Sequence, residues 1–244
     1  MRTLILSDIH ANLTALSAVL EDAKPYDRVW CLGDVVGYGP DPNACVERLR
    51  ALPGLKGIKG NHDAAILGEI DINAFNYEAR ASLEWLDSKL KPNNRRWLET
   101  LEERLTVENI TLVHGSPRNP IWEYIIDVGV ARQNMSAFDT QICLVGHTHI
   151  PCVFQMDEED DVTSTFLYSM SPKVSFKLNR PAIVNPGSVG QPRDHDPRSS
   201  YLIYDSNTDE WTLHRVDYDF QQVQERIRAA SLPFRHASRL ASGF

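Results

Sequence analysis

The sequence predicts an α/β fold in which two sheets pack against each other and helices lie outside them. In the first half, short apolar runs alternate with amphipathic stretches of roughly 10 to 15 residues, which indicates βαβ units and a largely parallel sheet. After residue 150, short strand-like runs follow one another with turn residues between them, which is typical of a second, antiparallel sheet. The 244 residues contain no internal repeat and no long linker, so we expect one domain over residues 1–244.

The predicted elements of the first half follow from the spacing of apolar residues. Residues 3–6 form an apolar run typical of a strand that is buried on both faces. After Asn12, apolar residues recur at three- and four-residue spacing, which predicts a helix that ends before Pro25. The same reasoning predicts further strands at 28–32, 55–59, 110–113 and 141–145, helices at 42–52 and within 64–105, and a loop followed by a helix over 116–138.

The second half is predicted to contain five short strands and a final helix. The strands are at 153–155, 166–168, 182–184, 201–204 and 211–216, and the helix spans 220–230. We expect the region of about 64–138, which is largely helical in pattern, to form a small cap on the sandwich.

The composition excludes several classes of protein. A charged fraction of 24% and an aromatic fraction of 9% are ordinary for a globular domain. The net charge of −8 disfavours binding to long nucleic acids, because the release of counterions requires a basic face. The chain has no apolar run of about 18 residues, and its N-terminus does not resemble a signal peptide, so we expect no membrane contact. The four cysteines show no CxxC spacing, which favours buried free thiols and a cytoplasmic location.

Five predicted strands of the first half end in residues that are able to bind metals. These clusters are Asp8-Ile9-His10, Gly33-Asp34, Gly60-Asn61-His62-Asp63, His114-Gly115 and Gly146-His147-Thr148-His149. Five of the eight histidines therefore occupy the ends of predicted strands. Because ligands of open α/β sheets bind beyond the carboxyl ends of the strands, we expect the clusters to converge on one crevice.

The chemistry of these side chains predicts a pair of divalent cations. Imidazole and carboxylate ligands without thiolate favour Mn²⁺, Fe or Zn²⁺ over copper(I) or an iron–sulfur cluster. These metal-binding side chains are too numerous for one first-row ion and suit two ions that share a carboxylate. If the backbone stays extended, Asp8 and His10 lie on one face, and so do His147 and His149. Two such cations would attract a phosphate and hold it for in-line displacement.

Taken together, these blocks resemble the calcineurin-like metallophosphoesterase family. The resemblance rests on the series D-x-H, GD, GNHD, H and GHTH, followed by Asn185-Pro186-Gly187-Ser188, and it covers residues 1 to about 190. It implies a four-layer α/β/β/α sandwich of two mixed sheets. It also implies a first cation held by Asp8, His10, Asp34 and His149, and a second held by Asp34, Asn61, His114 and His147.

The resemblance further implies that His62 contacts the phosphate and protonates the leaving oxygen, while a hydroxide bridging the cations attacks phosphorus. Asn61 would help to stabilise the developing charge. Asp63 either orients His62 in catalysis or starts the following helix, and the sequence leaves both interpretations open.

Other motifs narrow the expected substrate. Residues 33–40 read GDVVGYGP and depart from the GDxxDRG form of the family's serine/threonine protein phosphatases. This block, HGSPR at 114–118 and NPGSVGQPR at 185–193 are more similar to a bacterial subgroup of small phosphodiesterases and diadenosine tetraphosphate hydrolases.

Four residues near these motifs are candidates for substrate binding, beside Asn61. Arg118 and Arg193 carry guanidinium groups that bind phosphate as a fork, and Trp122 and Tyr124 offer rings on which a base stacks. Ordinary packing of the loops is the alternative for all four.

The sequence therefore predicts a two-metal hydrolase of a small phosphodiester or nucleotide phosphoanhydride, with a dinucleoside polyphosphate as the most specific candidate. Its expected partner is a small phosphorylated substrate. The alternatives are a phosphomonoesterase acting on small molecules or proteins, and a metal-binding scaffold without catalysis. The sequence contains no signal for an oligomeric state.

Overall fold

Two mixed sheets, packed face to face, form the centre of the molecule. The computed structural model describes residues 1–159, 161–167 and 171–244. Within these residues, twelve strands form two sheets of six. The strands are β1 (Arg2–Leu6), β2 (Arg28–Cys31), β3 (Lys56–Gly57), β4 (Arg104–Val107), β5 (Ile110–Val113), β6 (Ile142–Leu144), β7 (Cys152–Met156), β8 (Val162–Phe166), β9 (Lys173–Phe176), β10 (Ala182–Asn185), β11 (Ser199–Asp205) and β12 (Glu210–Val216).

Helices cover the outer faces of both sheets. They are α1 (Leu13–Asp22), α2 (Pro42–Arg50), α3 (Asn61–Ile66), α4 (Tyr77–Asp87), α5 (Pro92–Glu99), α6 (Val128–Asn134), α7 (Phe220–Ala229) and α8 (Phe234–Ser242), with short 3₁₀ turns at Ile72–Ala74 and Met135–Ala137. The predicted four-layer α/β/β/α sandwich is therefore confirmed.

The expectation that each half of the chain forms its own sheet is wrong. The first sheet has the order β3-β2-β1-β11-β12-β9, and the second has the order β4-β5-β6-β10-β7-β8. The parallel strands of the first half are thus divided between the sheets, and strands of the second half complete both. β11 pairs antiparallel with β1, whereas β10 pairs parallel with β6. Local hydrophobic spacing does not specify such long-range pairing.

Three apolar layers follow from this arrangement. Between the sheets, Trp30 and Ile5 of the first sheet pack with Leu112, Leu144 and Val184 of the second. Helices α1, α2 and α4 bury their apolar faces on the outside of the first sheet. Helix α6 packs on the outside of the second sheet. Both sheets are thereby buried on two faces, which explains why their central strands are apolar runs rather than alternating ones.

Four elements differ from the sequence-based expectation. β4 lies at the end of the region predicted to be helical, so the proposed cap region 64–138 also contributes β4 and β5 to the second sheet. β9 and α8 were not predicted. The predicted strand at 166–168 overlaps only the last residue of β8, and Tyr168 lies outside the described residues.

The four cysteines, Cys31, Cys45, Cys143 and Cys152, are buried and free, as expected. Burial raises the pKa of each thiol, so none is activated as a nucleophile. None of the helices in the described ranges has the length and apolar character that crossing a membrane requires.

Candidate metal centre

The predicted metal-binding side chains converge at the carboxyl ends of strands from both sheets. Asp8, His10 and His149 present ligand atoms that all lie within 4.8 Å of one another. Asp34, His114 and His147 form a second group of the same size, and both groups are buried. Since β1 and β2 belong to one sheet and β5 and β6 to the other, the crevice lies across the top of the sandwich.

Asp34 lies between the two groups. Its Oδ2 atom is 3.5 Å from Nε2 of His10 and 3.4 Å from Nε2 of His114. Its other oxygen, Oδ1, accepts a hydrogen bond of 2.9 Å from the backbone N–H of His62. One carboxylate oxygen thus faces imidazoles of both groups, which is the position of a bridging ligand.

The backbone at these residues is left-handed rather than extended. The φ angles are +53° at Asp8, +47° at His10, +51° at Asp34, +66° at His147 and +63° at His149. The condition of an extended backbone is therefore not met. Asp8 and His10 nevertheless belong to the same group, whereas His147 and His149 belong to different groups. Such conformations cost roughly 1–3 kcal/mol each outside glycine and accumulate at functional sites.

Backbone carbonyls determine which nitrogen of each imidazole carries the proton. Nδ1 of His10, His114 and His149 donates to the carbonyls of Val36 (3.2 Å), Leu32 (2.8 Å) and Gln191 (2.6 Å) respectively. Nε2 of His147 donates to the carbonyl of Trp122 at 3.2 Å. Each ring then directs its other nitrogen into the crevice, as in metal-binding histidines with a fixed tautomer.

These inward nitrogens lie close together in pairs, so each pair needs either a shared proton or a cation. Nε2 of His10 is 3.2 Å from Nε2 of His149, and Nε2 of His114 is 3.2 Å from Nδ1 of His147. Two unprotonated nitrogens do not hydrogen-bond to each other. Asp8 Oδ1 is buried, 3.2 Å from Nε2 of His149, and has no hydrogen-bond partner within the described residues. The donor set therefore fits divalent cations held by nitrogen and oxygen ligands.

Electrostatics keep most of these groups in the protonation state that a cation needs. Burial favours neutral carboxyl groups, but the nearby histidines hold the pKa of Asp8 and Asp34 well below the usual range. Burial lowers the pKa of His147 to about 3. Burial also disfavours the charged form of His114, but the Asp34 carboxylate outweighs it and raises the pKa of His114 to about 9. Cation binding would release the proton of His114.

Two glycines allow the loops of the centre to approach closely. A Cβ at Gly60 would lie 2.1 Å from Oδ1 of Asp34, and one at Gly146 would lie 2.0 Å from Oγ of Ser7. Both positions exclude a side chain, which explains the glycines that precede Asn61 and His147.

The NPGS block holds two of these loops together. Asn185 Nδ2 donates to the carbonyl of Gly146 at 2.7 Å, and Ser188 Oγ donates to the carbonyl of Asp8 at 2.8 Å. The block therefore positions the residues around Asp8 and His147 without offering ligands of its own.

Helix α3 begins at the centre and carries Asn61 and His62. Asn61 Oδ1 lies 3.1 Å from Nε2 of His114, beside the second group. The ring of His62 packs against His10, Tyr38 and Phe75, with ring centroids 4.9, 4.4 and 5.1 Å apart. Its Nδ1 is buried and has no hydrogen-bond partner in the described part of the chain. Burial lowers the pKa of His62 to about 4.

Asp63 positions the loop of Asp34 and does not touch the ring of His62. Its carboxylate accepts hydrogen bonds from the backbone N–H groups of Val35 (3.3 Å), Val36 (3.2 Å) and Gly60 (3.1 Å). Of the two interpretations left open by the sequence, these contacts support the structural one.

Arg118 is engaged within its own loop. Its guanidinium pairs with the carboxylate of Glu123 and donates to Oε1 of Gln133 at 2.6 Å. The expectation that Arg118 offers a free fork to phosphate is therefore not supported, because Glu123 already occupies the fork.

The two aromatic candidates lie at the rim of the second group. The ring of Tyr124 stacks on His147 with centroids 3.8 Å apart and is 46% exposed. Trp122 is 37% exposed and packs against Phe75 at 5.0 Å. Both rings keep a solvent-facing surface beside the centre.

Arg193 lies near the first group, above Tyr38. Its Nη2 atom is 3.0 Å from Oε1 of Gln191 and 3.5 Å from the hydroxyl of Tyr38, and the guanidinium lies 5.7 Å from the centroid of that ring. His236 and Arg239 of α8 also lie here, although the sequence analysis did not identify them. The ring of His236 packs on Tyr38 with centroids 4.7 Å apart, and Arg239 lines the same cavity as Tyr38.

Comparison with known proteins identifies a matching family. The calcineurin-like phosphoesterase superfamily domain matches residues 1–209. The crystal structure of a metallophosphoesterase from Sphaerobacter thermophilus is 43% identical, with a TM-score of 0.90, and the match covers 100% of this chain and 99% of that one.

Two sequence relatives extend the comparison. An uncharacterized protein of Methanocaldococcus jannaschii is 36% identical over 94% of this chain and 93% of its own length. The symmetrical bis(5'-nucleosyl)-tetraphosphatase of Glaesserella parasuis is 27% identical over 54% of this chain and 51% of its own length.

Proposed function

The chain belongs to the calcineurin-like phosphoesterase superfamily and is a metal-dependent phosphoric ester hydrolase, and we propose that it cleaves a small phosphodiester or nucleotide phosphoanhydride at a two-cation centre. The observation that carries the proposal is the position of Asp34, whose Oδ2 lies 3.5 Å and 3.4 Å from the imidazoles of two separate groups.

The proposed ligands follow from the two groups. Asp8, His10 and His149 hold one cation, and Asn61, His114 and His147 hold the other, with Asp34 shared. Mn²⁺, Fe and Zn²⁺ all suit these nitrogen and oxygen donors. When bound, divalent ions at such a centre lower the pKa of water and offset the charge of a phosphate.

His62 is the proposed proton donor to the leaving oxygen. Its ring is buried beside the centre, and its orientation is supported by the hydrogen bond from its backbone N–H to Asp34. A phosphate next to the ring raises the pKa of the imidazole and so supplies the protonated form that donation requires.

We also propose that the region 64–138 shapes the substrate crevice. Phe75 and Trp122 from this region pack against each other beside His62 and His147. With Tyr124, they form an aromatic rim on which the base of a nucleotide stacks. The name of the relative from Glaesserella parasuis supports a dinucleoside polyphosphate as the specific candidate.

A direct test is chromatography of the products formed by the Mn²⁺-loaded protein from diadenosine tetraphosphate, with bis-p-nitrophenyl phosphate and p-nitrophenyl phosphate in parallel. If the proposal is correct, the protein cleaves both the dinucleotide and the diester. Two ADP molecules indicate symmetrical cleavage, and ATP plus AMP indicate asymmetrical cleavage.

The D34N variant, prepared in the same way, controls for a contaminating hydrolase. Cleavage of p-nitrophenyl phosphate alone would contradict the proposal and identify a phosphomonoesterase.

A further inference from the structure

Three arginines gather beside the metal centre on the side of Tyr38. Arg193 lies over the ring of Tyr38, and Arg235 and Arg239 come from α8. A cavity of about 120 Å³ is lined by Tyr38, Asn76, Glu78, Arg235, His236 and Arg239. Helix α8 lies beyond residue 209, where the match to the superfamily domain ends.

The positive charge of this cluster is only partly balanced. Glu78 is the carboxylate that lines the cavity, and its Oε1 lies 3.8 Å from Nη1 of Arg235. The Nε atoms of Arg193 and Arg239 are buried and have no hydrogen-bond partner in the ranges that the structure describes. Burial and the charges of Arg193 and Arg235 lower the pKa of Arg239, which shows that like charges are crowded together. The chain has a net charge of −8, so a cluster of arginines that few carboxylates balance suggests that an anion binds there.

Tyr38 connects the cavity to the metal centre. Its ring centroid is 4.4 Å from that of His62 and 4.7 Å from that of His236, so the centre and the cavity share this side chain. Nδ1 of the buried His236 also lacks a hydrogen-bond partner among the described residues. Nε–H donors without a partner, from Arg193 and Arg239, therefore lie near one tyrosine, while Nε2 of His236 donates to the carbonyl of Glu78 at 3.0 Å.

We propose that Arg193 and Arg239 form a second phosphate subsite, which holds a phosphate of the substrate that is not cleaved. The inference rests on the proposed function and sharpens it, because it makes the substrate a compound with two or more linked phosphates. Guanidinium groups bind phosphate oxygens as a fork. Arg239 lines the cavity, Arg193 lies over the ring of Tyr38 that also lines it, and the Nε–H of each arginine is without a partner among the described residues. The cavity has room for roughly four waters at the volume of liquid water, so a phosphate fits.

The subsite is tested by calorimetry on the full-length protein in buffer with a fixed excess of Mn²⁺. The probes are methylphosphonate, with one anionic group, and methylenediphosphonate, with two linked groups that cannot be hydrolysed. We expect the second probe to bind the wild-type protein more tightly than the first. In R239Q, this advantage should fall by at least about tenfold, the loss expected for one charged hydrogen-bonding partner.

R228Q is the matched control, because Arg228 is exposed on the neighbouring helix α7 and does not line the cavity. R228Q should bind methylenediphosphonate more tightly than methylphosphonate by the same factor as the wild-type protein. R193Q tests the same subsite from a different loop and should show the same loss as R239Q. The subsite would be overturned if the ratio of affinities for the two probes were the same in wild type, R239Q and R193Q. It would also be overturned if the wild-type protein bound both probes equally tightly.

Rates of hydrolysis distinguish a failure of the subsite from a failure of the proposed function. For R239Q, kcat/KM should fall at least about tenfold more for diadenosine tetraphosphate than for bis-p-nitrophenyl phosphate. If the protein cleaves neither substrate but binds the linked probe through Arg239, the proposed function fails and the subsite stands. If it cleaves both substrates and R239Q affects them equally, the function stands and the subsite fails.

Discussion

Replacement of Asp34 by Asn is expected to reduce hydrolysis by more than about 10³-fold, because it removes the one carboxylate that faces both groups of ligands. Oδ2 of Asp34 lies 3.5 Å from His10 and 3.4 Å from His114, and the side chain is 1% exposed. Asn keeps the volume and the acceptor for the backbone N–H of His62, but it carries no charge to hold two cations together. Metal analysis of D34N should accordingly show fewer bound cations per chain than wild type.

D139N is the matched control for this variant. Asp139 is exposed and lies outside both groups, so its loss of charge should leave hydrolysis and metal content at wild-type values. Circular dichroism of D34N should show a folded protein. A folded D34N with wild-type hydrolysis would remove the bridging role of Asp34.

Replacement of His62 by Ala is expected to reduce turnover by roughly 10²–10⁴-fold, the range for loss of a general acid, while metal content stays unchanged. The ring is 2% exposed and packs beside His10, and Ala retains the backbone N–H that donates to Asp34. Single-turnover kinetics with a substrate that has a poor leaving group should show the largest loss, since such a group depends most on protonation.

His195 offers a control for this substitution, because it is exposed and its ring packs only on Phe244 among the described aromatic contacts. H195A should hydrolyse substrate at the wild-type rate. Unchanged turnover in H62A would eliminate the proton-donor role. Lost metal in H62A would instead make His62 a ligand, since one of its ring nitrogens lies within 4.8 Å of ligand atoms of His10 and Asp34.

The sequence was sufficient to predict which side chains meet at the centre. Strand ends are local features, and the carboxyl ends of parallel strands lie at the same edge whatever the order of the sheet. The convergence of Asp8, Asp34 and His114 could therefore be predicted even though β5 lies in the second sheet and not beside β1 and β2. Hydrophobic spacing predicted two packed sheets with helices outside them, and the family resemblance implied the same four-layer sandwich with mixed sheets.

The parts that were missed depend on contacts between distant residues. The left-handed φ angles at Asp8 and His10 arise from the turns that join several loops, and extended alternation is the wrong description of them. Every residue has a backbone carbonyl, so the sequence does not show that the carbonyl of Gln191 accepts from His149. Arg118 was expected to be free because the pattern does not show that the loop folds back and brings Glu123, five residues later, against its guanidinium.

The cluster around Tyr38 was missed for a different reason. Its arginines come from α8 and from the loop of Arg193, and α8 packs on α7 at the far end of the chain. Nothing in the local pattern of residues 234–242 indicates that this helix reaches a centre built from residues 8–149.

The most direct test of the two-cation centre is the metal stoichiometry of the Mn²⁺-loaded wild-type protein, combined with its electron paramagnetic resonance spectrum. We predict about two Mn²⁺ per chain and the spectrum of a coupled pair, because one carboxylate oxygen of Asp34 would join both ions. A single Mn²⁺ per chain, or two ions with uncoupled spectra, would contradict a centre bridged by Asp34.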